Sequence, residues 1–422
     1  MTTEARQDRI SSIIRACRLI GRMSKGNSES AESDLVYYRL LGEYYTRILN
    51  AKRDGKFLAA HTVFFPTEIL YAMDIVPMHT EMTTWLTALF LGEQVEMLTK
   101  GAELGMAPEI CSPHRGLAGA VAMGSLPKPD AIVWSNLICD NSAKSGEFLM
   151  KLTGAPGYLL DRPFQDSPGE RRYFIDELNG MVKFLEGKSG NKMDWSKFSN
   201  SIKTMQHQVE LLRLVNAMRR LSPSPFPVQG FLKLLTVDYL FPGQPEGTEY
   251  LEALLRDMQK LVLTGKGSAN QEKFRLMTLF IPPLYLMSTL DNIFKERGAV
   301  SVCEPLFTTW SDIKLDPSRP MESVAMKSYD IPESRTMYGP LTEKALQEIT
   351  GAAREYKVDG AVYWAFMGCR HTCATIKIVK DLLNDMDIPV LTIDCDIVDP
   401  TINSREEISE KFERFFELLE DR

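Results

Sequence analysis

The sequence predicts an α/β protein with two parallel-sheet domains and a helical domain between them. Short, nearly continuous apolar runs alternate with segments of helical periodicity in two parts of the 422-residue chain. Such runs are typical of parallel strands that helices cover on both faces. Between the two parts only helical periodicity remains. We therefore divide the chain into an N-terminal helical segment (1–55), a first α/β domain (56–168), a helical domain (169–268) and a second α/β domain (269–422).

The first half of the chain supplies helices and the first predicted sheet. Apolar residues recur at spacings of three and four from Ile10 to about Asn50, which predicts helix. Cys17 lies on that apolar face, where a free cysteine behaves as a small hydrophobe. The apolar runs 131–134 and 157–160 predict strands. Helical stripes resume from about residue 169 to residue 265, and the proline-rich segment 222–227 separates them.

The second α/β domain has the clearest alternation. Strands are predicted at 276–281, 299–302, 360–365 and 390–393, and helices at 284–296, 342–356, 371–386 and 406–419. Each strand-helix-strand alternation implies a right-handed crossover between parallel strands.

Composition and charge exclude several classes of protein. The chain is 44% apolar, 25% charged and has a net charge of -7, which indicates a folded domain without a basic face for nucleic acid. No run approaches the roughly 18 apolar residues of a membrane span. The first residues lack the apolar core of a secretory signal. We therefore expect a cytoplasmic protein, whose cysteines stay reduced because the cytosol disfavours disulfides.

Six of the seven cysteines are predicted at the carboxyl ends of strands, where parallel sheets bind ligands. Two sheets that face each other across a cleft would bring these six together. The six are Cys111, Cys139, Cys303, Cys369, Cys373 and Cys395.

Soft thiolates bind zinc, copper(I) or iron-sulfur clusters. Structural zinc usually shows paired knuckles, whereas Cys369 and Cys373 are the only close pair here. A disulfide oxidoreductase would need C-x-x-C, which is absent. Core filling remains an alternative for one or two of the cysteines. Iron-sulfur ligation fits best, because cluster ligands can come from distant loops.

Four segments resemble the 2-hydroxyacyl-CoA dehydratase and benzoyl-CoA reductase family. They are Pro66-Thr-Glu-Ile-Leu-Tyr-Ala-Met-Asp-Ile-Val-Pro77, Cys111-Ser-Pro-His, Asp130-Ala-Ile-Val-Trp-Ser-Asn-Leu-Ile-Cys139-Asp and Gly360-Ala-Val-Tyr-Trp-Ala-Phe-Met-Gly-Cys369-Arg. The resemblance implies two Rossmann-like domains that face each other across a cluster cleft, plus a helical domain. It also implies electron delivery from an ATP-hydrolysing activator protein with its own [4Fe-4S] cluster.

In ordinary members of that family, cysteines that match Cys111, Cys139 and Cys369 hold one [4Fe-4S] cluster with an open iron. Cys303, Cys373 and Cys395 are additional here, and this departure resembles the double-cubane branch. That likeness implies a homodimer with an [8Fe-9S] cluster on six cysteines, which reduces small unsaturated molecules such as acetylene. It also implies oxygen sensitivity and an anaerobic setting. How the six cysteines divide between the two cubanes stays open.

Histidines near the predicted ligands are candidate catalytic residues, because imidazole suits proton transfer near neutral pH. His114 and His371 are the candidate proton donors; the alternative is a hydrogen bond to a sulfide or a helix cap. Glu68 and Glu81 are interpreted as helix caps. His61, His79 and His207 receive no role, and Arg115 and Arg370 either offset cluster charge or form surface ion pairs.

Three functions remain as hypotheses. The first is an ATP-dependent, double-cubane reductase of small unsaturated molecules, with the ATP site on the partner because the chain shows no P-loop and no G-x-G-x-x-G. The second is a [4Fe-4S] subunit of an (R)-2-hydroxyacyl-CoA dehydratase or a benzoyl-CoA reductase, which would pair with a different subunit and act on a CoA thioester. The third is an electron carrier without a substrate of its own.

Overall fold

Two four-stranded, all-parallel sheets form the centre of the protein. The structure is a computed structural model and describes residues 8–26, 31–137, 139–227, 230–305, 312–331, 334 and 342–422. The first sheet contains β1 (Leu58–His61), β2 (Val76–His79), β3 (Ala131–Ser135) and β4 (Gly157–Leu160). The second sheet contains β5 (Phe274–Leu279), β6 (Ala299–Cys303), β7 (Gly360–Phe366) and β8 (Val390–Cys395).

Helices surround both sheets and fill the segment between them. Those of the first half are α1 (Asp8–Gly26), α2 (Glu32–Asn50), α3 (Thr67–Ala72), α4 (Thr80–Phe90), α5 (Gln94–Glu103), α6 (Ser112–Ala122) and α7 (Asp140–Thr153). The middle helices are α8 (Pro168–Ser189), α9 (Trp195–Arg219), α10 (Gly230–Leu240) and α11 (Pro245–Leu263). The second sheet is accompanied by a 3-10 turn (Leu284–Leu286) and by α12 (Met287–Arg297), α13 (Pro320–Asp330), α14 (Glu343–Glu355), α15 (Arg370–Asn384) and α16 (Arg405–Glu420).

The two sheets have the same strand order, β2-β1-β3-β4 and β6-β5-β7-β8. In each, the first strand pairs in parallel with the second strand on one side and with the third on the other. The chain therefore reverses direction across the sheet between β1 and β3, and between β5 and β7. Ligands bind beyond the carboxyl ends of the strands at such switch points.

The central strands are buried along their whole length, which explains their unbroken apolar sequences. Every residue of β1, β3, β5 and β7 is buried, whereas β4 and β8 at the sheet edges are partly exposed. Helices therefore cover both faces of each sheet, as the apolar runs predict. Within the described ranges, none of the helices combines the length and the apolar character needed to cross a bilayer.

The predicted fold class is confirmed, with differences in detail. The predicted helical stretch from Ile10 to Asn50 is two helices, and Ala31 before α2 has an extended backbone. The short strands β1 and β2 and the helix α13 were not predicted. Cys303 and Cys395 are the last residues of β6 and β8 rather than the residues that follow them. The domain boundaries at 55, 168 and 268 stay predictions.

Candidate metal centre

Three of the predicted ligands stand at the start of three helices. Cys111 is the N-cap of α6, Cys139 the N-cap of α7 and Cys369 the N-cap of α15. Cys139 follows β3 and Cys369 follows β7, so these two occupy equivalent positions beside the two switch points. The positive end of a helix favours a thiolate at this position.

Cys111 reaches this place by a route that the sequence did not predict. We expected a short strand before it, but residues 108–110 form a turn after α5. The prediction was wrong because the short run before Cys111 is interrupted by Pro108 and Glu109, and such a run does not distinguish a strand from a turn that packs against a neighbouring domain. The neighbour is the loop after β7: a Cβ on Gly368 would lie 2.7 Å from the Cys111 amide nitrogen. The absence of a side chain at Gly368 therefore lets the two loops touch.

The three thiols are close enough to influence one another. Burial raises the pKa of Cys111 well above its ordinary value, and the charges of Cys139 and Cys369 raise it further. Burial also raises the pKa of Cys139 to about 12, although the backbone amides of Asn141 and Ser142 oppose the shift. Burial raises the pKa of Cys369, and hydrogen bonds from Thr372 oppose it. In the iron-free chain these groups are thiols, so metal binding must release their protons.

Polar contacts between the two α/β domains surround the three cysteines. Ser112 donates a hydrogen bond to Asp396, and the Asn141 amide donates one to the Gly368 carbonyl at 3.3 Å. Two ion pairs cross the same boundary, Arg115 with Asp399 at 2.7 Å and Arg370 with Asp140 at 2.5 Å. Arg115 and Asp399 are largely buried at this boundary, whereas Arg370 and Asp140 form a surface ion pair.

Two further predicted ligands lie beside Cys369. The Cys373 sulfur is 3.3 Å from the Phe366 carbonyl oxygen, and Phe366 pairs with Cys395 in the sheet. The charge of Cys373 contributes to the raised pKa values of both Cys369 and Cys395. Cys373 is exposed and Cys395 is buried. The second domain thus carries a row of three neighbouring cysteines at the ends of β7 and β8.

The sixth predicted ligand, Cys303, lies elsewhere in the structure. It ends β6, at the opposite edge of the sheet from β8. Three strand spacings, about 14 Å in total, therefore separate the two strands. Burial raises its pKa, and the charged groups that act on it are Glu304, Arg219 and Arg275. The expected convergence of all six cysteines is therefore not seen at Cys303. Its role as a ligand stays a prediction.

The candidate proton donors differ in their surroundings. His114 is buried, its Nε2 atom lies 3.7 Å from the Cys139 sulfur, and burial lowers its pKa to about 4. His371 is half-buried in the first turn of α15, between Cys369 and Cys373. The structure therefore brings the His114 ring directly against a predicted ligand.

Two carboxylates that were interpreted as caps have other partners. Glu68, at the start of α3, is fully buried and forms an ion pair with Lys327 of α13. Glu81, at the start of α4, lies 3.5 Å from ring nitrogens of both His79 and His114. His61 and His79, which received no role, are buried in the same place, and no sequence signal connects them with His114, which lies far along the chain from both.

The residues at the meeting point fit an iron-sulfur cluster. Thiolates are the ligands that such clusters require, and the three come from three separate helix starts. Across the described part of the chain, no three His, Cys, Asp or Glu side chains lie close enough together to hold a single metal ion.

Comparison with known proteins gives one consistent result. A family model described as "2-hydroxyglutaryl-CoA dehydratase, D-component" matches residues 62–419. The chain is 24% identical to the (R)-2-hydroxyisocaproyl-CoA dehydratase alpha subunit of Clostridioides difficile, over 94% of this chain and 98% of the relative. It is 20% identical to one of the subunits of benzoyl-CoA reductase from Thauera aromatica, over 93% of this chain and 95% of that relative.

Proposed function

Because the chain belongs to the 2-hydroxyglutaryl-CoA dehydratase D-component family, we propose that it is an iron-sulfur enzyme in which Cys111, Cys139 and Cys369 hold a [4Fe-4S] cluster. The observation that carries the proposal is the meeting of three helix N-termini, each with a cysteine as its N-cap. Three thiolates leave one of four irons without a protein ligand. An open coordination position is what a substrate-binding metal site requires.

Cys111, Cys139 and Cys369 would hold the cluster, which would supply low-potential electrons for the conversion of a substrate. The chain's own residues build the place around it. Gly368 allows the loop after β7 to touch the Cys111 backbone, and the largely buried pair Arg115–Asp399 connects the two domains beside it. The His114 ring stands against Cys139, where it can donate a hydrogen bond to the thiolate.

The relatives support a CoA thioester as the substrate class. Those named above are a dehydratase and a reductase of CoA thioesters, and they align with nearly the whole chain. We propose electron delivery by an ATP-hydrolysing activator protein with its own [4Fe-4S] cluster. We also propose an oxygen-sensitive protein that works in the cytoplasm of an anaerobic cell.

A double-cubane reductase is the second candidate. The row of Cys369, Cys373 and Cys395 favours it, because it offers additional thiolates beside the first cluster position. An [8Fe-9S] cluster on six cysteines requires Cys303 as well, which the arrangement of the second sheet places at the far edge. This candidate would act as a homodimer on small unsaturated molecules.

Turnover assays separate the two candidates. The anaerobically purified chain is mixed with an activator protein, ATP and a reductant, and is supplied either with acetylene or with a 2-hydroxyacyl-CoA and a separately purified second subunit. Acyl-CoA dehydration that depends on ATP supports the first candidate. Acetylene reduction by the chain alone with its activator supports the second. Failure of both reactions in a protein that contains iron would refute a catalytic role.

A further inference from the structure

The first α/β domain contains a buried group of ionisable side chains, of which the proposed function uses only His114. It consists of His61, His79, Glu81 and His114, each at most 3% exposed. Three of the five histidines of the chain are therefore collected in one place. We call this set the buried histidine group.

Contacts connect the buried histidine group to the cluster position. The centroids of the His61 and His79 rings are 5.0 Å apart, and His79 Nδ1 lies 3.5 Å from Glu81 Oε2. Glu81 Oε1 lies 3.5 Å from His114 Nδ1, and His114 Nε2 lies 3.7 Å from the Cys139 sulfur. Glu81 thus touches the side of the His114 ring that faces away from Cys139.

We propose that Glu81 is a positioning residue, which holds the His114 ring so that Nε2–H donates a hydrogen bond to the Cys139 thiolate of the bound cluster. This inference rests on the proposed function, since it needs a cluster on Cys139. It adds a residue of the first domain that tunes the cluster without touching it. Outer residues that orient a metal site in this way are a general feature of such sites.

The available donors and acceptors determine which atoms of His114 and Glu81 carry a proton. A ligated Cys139 carries no proton, so His114 Nε2 must donate, and Nδ1 of a neutral ring must then accept. Among the described residues, His114 Nδ1 and Glu81 Oε1 are both buried without a hydrogen-bond partner, and they face each other. The second oxygen of Glu81, Oε2, lies 2.7 Å from the Thr80 hydroxyl, which lies 2.9 Å from the His61 carbonyl oxygen and can donate its one proton to either. An acceptor at His114 Nδ1 requires a proton on Glu81 Oε1, the oxygen that faces it.

The surroundings of Glu81 favour this protonated form. Burial raises the pKa of Glu81 to about 7, although the Thr80 hydroxyl and the backbone amides of Glu81 and Val63 oppose the shift. No basic side chain forms an ion pair with Glu81 in the described ranges apart from the two histidines. A neutral carboxyl can donate to His114, which a carboxylate cannot.

Variants at Glu81 test the inference on the iron-loaded protein. Glu81→Gln keeps a donor toward His114 Nδ1, whereas Glu81→Ala removes it. We measure the midpoint potential of the cluster, together with the coupling of an exchangeable proton to the reduced cluster by electron-nuclear double resonance in H2O and D2O. A hydrogen bond to a ligand sulfur stabilises the more negative, reduced cluster. We therefore expect Glu81→Ala to lower the potential and to abolish the exchangeable coupling, and Glu81→Gln to retain both.

Two controls make the outcome specific. His61→Gln alters a side chain of the buried histidine group that forms no hydrogen bond or ion pair with Glu81 among the described residues, and it should leave the potential and the coupling unchanged. His114→Phe should reproduce the effect of Glu81→Ala. If the parent protein binds iron but Glu81→Ala keeps its potential and its proton coupling, the inference is refuted and the proposed function stands. If the parent protein binds no iron, both fail.

Discussion

The close approach of Gly368 to Cys111 makes a sharp prediction about cluster binding. In Gly368→Ala, the new Cβ would lie 2.7 Å from the Cys111 nitrogen and 2.8 Å from its Cα. Ordinary contacts begin at 3.4 Å, so the two loops must separate by 0.7 Å. Functional sites tolerate displacements of only about 0.5 Å. We therefore expect Gly368→Ala to lose most of its iron.

The fold should survive this change. Overpacking of this kind costs about 1–3 kcal/mol, whereas domains are stable by about 5–15 kcal/mol. The assay compares iron and acid-labile sulfide per chain after anaerobic reconstitution with the thermal midpoint of the iron-free chain. Gly351→Ala is the matched control, since a Cβ on this residue of α14 meets nothing within 4 Å. Iron content equal to that of the parent in Gly368→Ala would refute the close approach as a requirement of the site.

Two further predictions concern stability in the iron-free chain. Arg219→Met should lower the free energy of unfolding in urea by about 3–5 kcal/mol, because it removes the arginine that forms an ion pair with the fully buried Glu304. Arg220→Met breaks an exposed ion pair with Glu355 and should lower it by less than about 1 kcal/mol. Equal losses of unfolding free energy in the two variants would contradict a larger contribution from the buried pair Arg219–Glu304. Burial raises the pKa of Glu81 from 4.5 to about 7, so the folded chain binds this proton more tightly than the unfolded chain. The contribution of Glu81 to the free energy of unfolding therefore falls as the pH rises from 4.5 to about 7. The stability of Glu81→Gln relative to the parent should therefore increase over that range, and urea titrations at about pH 5 and about pH 8 that give the same difference would show that the pKa of Glu81 is not shifted.

The alternation of strands and helices was readable from the sequence because the central strands are covered on both faces. Seven-residue β7 is buried throughout, and its apolar run is correspondingly unbroken. Strands β1 and β2 have only four residues each. Their sequences hide them as well, because β1 contains two alanines and β2 contains Pro77, and these residue types are uncommon in strands.

The cysteines were predictable as a set, but their arrangement was not. Their positions after apolar runs indicate the ligand-binding edge of a sheet, which holds for Cys139, Cys369 and Cys395. Strand order decides which cysteines are neighbours, and a sequence does not state it. The order β6-β5-β7-β8 separates Cys303 from Cys395, although both end a strand of one sheet.

The environment of His114 could not be predicted from the sequence either. Its neighbours Glu81 and His79 come from the start of a different helix and the end of a different strand. Only the packing of α4 against α6 brings them together. Residues that act through another side chain are hard to find from sequence for this reason.

The most direct test of the account is the iron content of single cysteine variants. Iron and acid-labile sulfide are measured per chain on anaerobically purified protein, for the parent and for Cys111→Ser, Cys139→Ser, Cys369→Ser and Cys303→Ser, with Cys17→Ser as the control in the core of α1. The account predicts about four irons in the parent, in Cys303→Ser and in Cys17→Ser, and a severe loss in each of the other three. About eight irons that fall to about four in Cys303→Ser would instead establish the double cubane. Full iron in Cys111→Ser, Cys139→Ser and Cys369→Ser would contradict the central claim that these three residues hold the cluster.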